Sequence, residues 1–289
     1  MFLSRVFKPL SKLLVFMASR NWTRRLMRAA LKLFKIKRDM TVRAGEEIIY
    51  VNSLDRLVAA TLWKHSLLSG FESEIYKSTV KNGMTVLEIG ANIGFFTMLF
   101  AKLAGENGKV FAFEPDPDNF RLLEKNIKAN NYKNAECVRK AVSKRTGTAR
   151  LFISEEHHGD HRIFDSFDGR RSVEIETVAI DDFMPQGASV DFIKMDIQGA
   201  EYSALQGMER TIKNSGPLIM LCEFSPALLR KAGSSPMEFL KKLETLGFAL
   251  RYLDEDKNSI VRAGAAELLG KCKGKDYLNL YLENKPRTG

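Results

Sequence analysis

The chain has 289 residues, 45% of them hydrophobic, with a formal net charge of +10. That length and apolar content support one large α/β domain with appendages rather than two independent domains. Its three cysteines (Cys137, Cys222 and Cys272) have neither metal-ligand spacing nor an even-numbered framework. A disulfide scaffold is excluded and a reducing, cytoplasmic compartment is expected.

The charge is not spread evenly. Residues 1–38 hold eleven Lys or Arg and no acidic residue, which leaves 34 basic against 35 acidic residues in the remainder. The body is therefore close to neutral and nucleic acid is not the expected partner; the basicity belongs to an N-terminal arm, residues 1–40. Trp22, Leu26, Ala29 and Leu33 recur in the arm at helical spacing, with Arg24, Arg25, Arg28 and Lys32 mostly on other faces. No uncharged run approaches the ~20 residues of a transmembrane helix. The leading reading is a basic amphipathic helix lying on an anionic membrane surface. A helical extension packed on the body, an organellar presequence and a nucleic-acid arm are the alternatives.

Residues 41–83 read as a lead-in that covers one mouth of a crevice. A short strand or hairpin is expected over Thr41–Tyr50, and helices over Leu54–Leu68 and Phe71–Thr79. The main domain then runs over 84–289. Strand 84–89 leads to helix 95–104, strand 109–114 to helix 117–130, and strand 135–140 to an excursion over 141–189. Asp116 or Asp118 is placed to cap the second of these helices. The excursion carries strand-like runs at 149–153 and 173–180, with a His-, Asp- and Gly-rich loop between them. Strand 190–196, a helix from Gly199 to about Ile212, strand 218–223, helix 236–246 and strands 248–253 and 277–282 complete the pattern. Periodicity supports a doubly wound α/β sheet.

Chemistry concentrates at the first strand end, Val86-Leu-Glu-Ile-Gly-Ala-Asn-Ile-Gly-Phe-Phe-Thr97. Gly90 and Gly94 permit a tight turn, and the helix beginning at Phe95 through Thr97 offers free N–H groups to a carboxylate or phosphate. Glu114, twenty residues after Gly94, can accept hydrogen bonds from both hydroxyls of a ribose. The dinucleotide pattern G-x-G-x-x-G fails, because Asn92 and Phe95 stand where it needs glycine. Glu88 before the turn repels a pyrophosphate and suits an ammonium group. A ligand with an amino-acid end and an adenosine end is S-adenosyl-L-methionine.

Further carboxylates, Asp196 and Glu223, end later strands, where open α/β sheets bind ligands. Asp196 suits a general base on an acceptor hydroxyl, or alternatively a helix cap. Glu201 reads as a helix-start carboxylate. His161, in the His157-His-Gly-Asp-His161 loop, could act from a lid over the acceptor; a solvated loop and a metal cluster are the other readings. Gly159 breaks the helical spacing a zinc helix needs, so no metal site is expected.

The E-x-G-A-N-x-G turn resembles the first motif of class I methyltransferases. With Phe113-Glu-Pro115, Ala141-Val-Ser143, Ile193-Lys-x-Asp-x-x-Gly-Ala-Glu201 and Cys222-Glu-Phe224, the chain looks like the FkbM-type methyltransferases over roughly residues 70–225. The resemblance implies a mostly parallel seven-stranded Rossmann-like sheet with its last strand inserted antiparallel. It also implies methyl transfer from S-adenosyl-L-methionine to a hydroxyl of a sugar, glycan, glycolipid or natural-product-like acceptor. On that reading Glu88, Gly90, Asn92, Gly94, Phe95, Thr97, Glu114 and Ala141 bind the donor, and Asp196, His161 and Glu223 serve catalysis. Gln198 stands where the family often has Glu, and is given no catalytic role. A nucleotide-cofactor oxidoreductase and a non-catalytic, membrane-tethered ligand-binding module are the competing functions.

Overall fold

The computed structural model describes residues 39–44, 46–52, 70–154, 159–272 and 277–284. The arm, the helix expected over 54–68, His157 and His158 lie outside the described residues. The chain divides into two compact units, Met1–Ser73 and Glu74–Gly289. In the first, β1 (Asp39–Ala44) and β2 (Glu47–Asn52) form an antiparallel hairpin with Asp39 opposite Asn52. The expected hairpin over 41–50 is thus two residues longer at each end. Among the described residues no helix is long and apolar enough to cross a membrane.

The second unit is built around strands β3 (Thr85–Ile89), β4 (Lys109–Phe113), β5 (Ala135–Val138), β9 (Phe192–Met195), β10 (Leu218–Phe224), β11 (Phe248–Asp254), β12 (Ser259–Arg262) and β13 (Leu278–Asn284). They form one sheet in the order β12-β11-β13-β10-β9-β3-β4-β5. Strands β10, β9, β3, β4 and β5 are mutually parallel, and β13 is inserted antiparallel between β10 and β11. This is the class I methyltransferase sheet. To the seven expected strands it adds an eighth, β12, which returns antiparallel on β11 through the turn at 255–258. The excursion after β5 folds into a second sheet of β6 (Ala141–Val142), β7 (Gly147–Phe152) and β8 (Ser172–Val178), in the order β6-β8-β7.

Helix α1 (Phe71–Thr79) precedes β3, α2 (Phe95–Ala104) follows it, and α3 (Pro117–Ala129) follows β4. Asp116 caps α3, its side chain accepting the N–H groups of Asp118 and Asn119, with Pro117 at the first helical position. After β8 comes the short α4 (Ile180–Phe183). The single helix expected from Gly199 to Ile212 is instead two, α5 (Glu201–Gln206) and α6 (Glu209–Asn214). The break falls at Gly207, where a Cβ would lie 2.1 Å from the carbonyl oxygen of Ser143, so the close approach requires glycine. Asp181 then caps the new helix start from a distance, accepting the N–H groups of Arg210 and Thr211 at 2.9 and 2.8 Å. Helices α7 (Pro226–Lys231), α8 (Pro236–Thr245) and α9 (Ala265–Lys271) complete the unit; α7 and α9 have no counterpart in the pattern read from the sequence.

Side-chain alternation divides the central strands between two faces. Leu87, Ile89, Ile193, Met195, Met220, Cys222 and Phe224 enter one large apolar core with Leu205, Phe239 and Leu240. On the other face Phe192 meets Phe100 and Tyr76, joining α1 and α2 to the sheet through edge-on aromatic contacts. Cys222 is buried as expected of an apolar filler, whereas Cys137 is half-buried.

The turn after β3 nests against the tip of β9. Gly90 has φ of +89° and a Cβ there would fall 2.1 Å from the carbonyl oxygen of Asp196; Gly83 has φ of +88° with open space around it. The pair separates conformational strain from steric conflict. Gly83→Ala is expected to cost about 1–2 kcal/mol, the left-handed penalty alone. Gly90→Ala should cost at least about 2 kcal/mol more, because backbone must also move. Urea unfolding of the two variants checks this, and equal losses would mean that the two turns do not depend on the contact.

Candidate functional site

Register brings the polar face of the sheet together. Glu88 on β3 pairs with Lys194 on β9, and Leu221, the next residue on this face, with Lys194 on the other side. Glu223 follows Leu221 by one alternation and Asp196 follows Lys194, so Glu88, Lys194, Asp196 and Glu223 share the face that carries Phe192. All lie toward the carboxyl ends of parallel strands.

Glu88 has no solvent-accessible surface. Its Oε2 accepts a 2.5 Å hydrogen bond from the Thr97 hydroxyl, while Oε1 is buried without a hydrogen-bond partner. Loss of water raises its pKa to about 7, against the pull of Lys194 and of the Thr97 hydroxyl. Glu88 is therefore sealed beneath the turn that follows β3. Thr97, expected to present its N–H to a ligand, also fastens α2 to β3.

Glu114 ties two turns. Its Oε2 accepts the Asn92 N–H at 2.8 Å and its Oε1 the Asp116 N–H at 2.9 Å. Burial raises its pKa to about 7, opposed chiefly by the Asp116 amide. The Asn119 side chain donates to the same carboxylate, so of its roughly four lone-pair sites at least one is left for a ribose hydroxyl. Asn92 is left-handed, with φ of +51°. Helix α2 has no side-chain cap and no acidic residue in its first turn, so its N-terminus is suited to a carboxylate. Asn126 on α3 steadies the same turn by donating to the Ile93 carbonyl at 2.7 Å. An unpartnered buried carboxylate oxygen, a doubly anchored Glu114 and an uncapped helix start fit S-adenosyl-L-methionine. Ala141, which the motif resemblance assigns to the donor, is buried on β6 opposite Thr177.

At the tip of β9, Asp196 Oδ1 accepts from Gln198 Nε2 at 2.9 Å, and its Oδ2 lies 3.5 Å from Lys194 Nζ. The Lys194 ammonium stands 5.3 Å over the Phe96 ring, which lets a largely buried cation sit between Glu88 and Asp196. The same Gln198 nitrogen reaches Glu223 Oε1 at 3.2 Å. Lys194 and Gln198 were not given roles from the sequence; alternation places the first on the polar face, but nothing local announces the second.

His161 is held away from a free catalytic position. Its Nδ1 accepts the Ser154 N–H at 3.0 Å, so the neutral ring carries its proton on Nε2, 3.9 Å from Asp116 Oδ2. Through the Ser154 amide the buried ring fastens the excursion loop to the segment after β7, and it lies beside the start of α3. The loop nevertheless borders both turns: a Cβ on Gly159 would lie 3.4 Å from Asn92 Nδ2, and one on Gly199 3.0 Å from the Phe164 ring. Among the described residues no group of three potential ligands could hold a metal ion.

Residues 88–252, more than half of the chain, match the methyltransferase FkbM domain. Residues 25–147 also match the protein-L-isoaspartate(D-aspartate) O-methyltransferase model. A protein-L-isoaspartate O-methyltransferase of Methanococcoides burtonii is 41% identical over 59 residues, 20% of this chain and 29% of that protein. The methyltransferase sdnD of Sordaria araneosa is 25% identical over 156 residues, covering 43% of this chain and 60% of that one. The chain spans less than two thirds of the length of the curated relatives it matches. Among solved structures, an S-adenosylmethionine-dependent methyltransferase from Aquifex aeolicus aligns with a TM-score of 0.45 and 18% identity, over 78% of this chain and 95% of that one.

The three buried carboxyls predict an unusual pH response. Burial also raises the pKa of Glu201 to about 7, against the backbone amides that it accepts. Glu88, Glu114 and Glu201 each keep a proton in the folded state between about pH 4.5 and 7 that the unfolded chain releases. The unfolded state then binds fewer protons, so their contribution to stability falls as pH rises through this window and is level above it. Glu88→Gln should remove up to about 3 kcal/mol of that fall. Melting temperatures of both proteins from pH 5 to 8 test the sign; parallel curves would show that Glu88 keeps its ordinary acidity. By the span of the first match, the chain belongs to the FkbM methyltransferase domain family.

Proposed function

We propose that the protein is an S-adenosyl-L-methionine-dependent methyltransferase acting on a hydroxyl of a polyhydroxylated small molecule or glycan. The observation that carries the acceptor reading is the pair Asp196 and Glu223, bridged by the Gln198 amide on the same sheet face as the donor-side carboxylates. When bound, S-adenosyl-L-methionine supplies an electrophilic methyl group on a sulfonium leaving group. Glu114 holds the ribose, the turn from Gly90 to Phe95 and the start of α2 receive the amino-acid end, and Glu88, whose pKa burial brings to about 7, lies beneath that turn as a hydrogen-bond acceptor that gains charge as pH rises. Asp196 accepts the proton that the acceptor oxygen gives up as it forms its bond to carbon. Alignment of oxygen, carbon and sulfur supplies most of the rate, since the leaving group needs no acid.

Methylation of a carboxylate is the second reading, raised by the match to the protein-L-isoaspartate model. That match ends at residue 147, before β9 and β10 supply Asp196 and Glu223. A carboxylate acceptor about 4 Å from either would meet a repulsion of about 4 kcal/mol at an effective dielectric of about 20. A hydroxyl acceptor meets a hydrogen-bond acceptor instead.

Titration calorimetry with S-adenosyl-L-methionine is the first test, and affinity weaker than millimolar would defeat the donor assignment. Glu114→Ala should weaken donor binding by ~1.5–3 kcal/mol, the range for hydrogen bonds to a charged group; unchanged affinity would leave Glu114 only its partners within the protein. Methyl transfer to a panel of neutral glycosides should exceed transfer to isoaspartyl peptides, and the reverse order would favour the carboxylate reading. On the best neutral acceptor, Asp196→Asn should lower turnover by ~100-fold or more with donor affinity kept. Turnover within about twofold of the parent would remove Asp196 as the base.

A further inference from the structure

The turn after β9 contains a device that the proposed chemistry does not by itself require. Gln198 is left-handed, with φ of +54°. The amides on either side of it, Ile197 N–H and Gly199 N–H, converge on one oxygen of Glu201 at 3.2 and 3.1 Å. Glu201 is buried, so this clamp is closed to water. Two peptide groups turned onto one internal oxygen fix the backbone of the residue between them. The side chain of that residue then spans Asp196 and Glu223, at 2.9 and 3.2 Å from a single nitrogen.

A primary amide nitrogen has two N–H groups, one for each carboxylate. The opposite orientation would set the amide oxygen against two carboxylate oxygens, so electrostatics selects the observed one. Two carboxylates on neighbouring strands repel each other. The usual remedies are a shared proton, which cancels one charge, or a metal ion. A bridging amide holds the pair without altering its charge.

We propose that Gln198 is a positioning residue for methyl transfer, which holds Asp196 and Glu223 as one rigid acceptor-side pair and is itself set in place by the Glu201 clamp. The proposal rests on the reading of Asp196 as the base. It specifies an acceptor that donates hydrogen bonds to both carboxylates, as adjacent hydroxyls do, since both remain acceptors. The direction of control runs from the buried clamp to the turn, and from the turn to the pair.

The side-chain amide of Gln198 in the ¹⁵N-labelled full-length protein, without donor or acceptor, is the direct probe. Its two proton resonances are identified by their loss in Gln198→Glu. They should exchange with water more slowly than those of free glutamine. Asp196→Asn should shift mainly one of them and Glu223→Gln mainly the other, a signature that a simple packing role would not give. Glu201→Gln, which keeps an acceptor oxygen for the two backbone amides, should preserve both resonances, and Glu201→Ala should average them toward the free value. Should Glu201→Ala not fold, the two single-carboxylate variants still decide the matter. Resonances at the free position in the parent, or unmoved by both carboxylate variants, would overturn the proposal. Failure of the methyltransferase reading is distinct, since it would appear as absent donor binding while the amide signature persisted.

Discussion

The approach of Gly90 to the carbonyl oxygen of Asp196 is the constraint on which the rest of the site depends. It brings the turn that follows β3 into direct backbone contact with the tip of β9. On the proposed reading the two turns carry different tasks, one for the donor and the other for the acceptor. Because the contact is backbone to backbone, it leaves no side-chain freedom to absorb a change, and the distance between the two tasks is fixed by the sheet. Methyl transfer needs three atoms in line, and a fixed separation of donor and acceptor turns is the structural form of that need.

Around this contact the protein buries charge at a cost. Glu88, Glu114 and Glu201 are each nearly inaccessible, and each is held by neutral donors rather than by a close cation. Lys194 comes nearest to a counter-ion, acting on Glu88 electrostatically and on Asp196 at 3.5 Å. Buried carboxyls that accept backbone amides orient turns with more directional precision than an ion pair would, because the amide direction is set by the chain. Glu114 does this for the turn at Asn92, and Glu201 does it for the turn at Gln198. The two sides of the crevice are thus built by one principle used twice.

The loop between β7 and β8 joins these sides. Phe152 and Arg162 exchange backbone hydrogen bonds at 2.7 and 3.1 Å, and the Ser154 amide donating to His161 adds a second fastening within the loop. Asp160 gathers Arg162 and Arg170, so the far part of the loop is cross-linked by charge. From there the loop runs past Asn92 at one turn and Gly199 at the other. Its described residues thus border both turns.

Local sequence determined the donor half. The apolar runs over 84–89 and 109–114, the glycines at 90 and 94 and the carboxylates at 88 and 114 lie within one β-α-β unit, where period and spacing map directly onto geometry. Alternation along β9 and β10 likewise makes a shared face for Lys194, Asp196 and Glu223 readable. Tertiary structure alone decided the remainder, because each of those features is a contact between distant segments. The helix after Gly199 breaks where Gly207 meets the Ser143 carbonyl, and α6 is capped by Asp181. β12 exists because β11 offers it an edge. His161 has the composition of a catalytic residue but its Nδ1 is taken by the Ser154 amide, whereas Gln198 becomes a bridge only once β9 and β10 lie side by side. Residue type and local period report what a segment can form; which polar atoms meet is set by the packing of strands far apart in the chain.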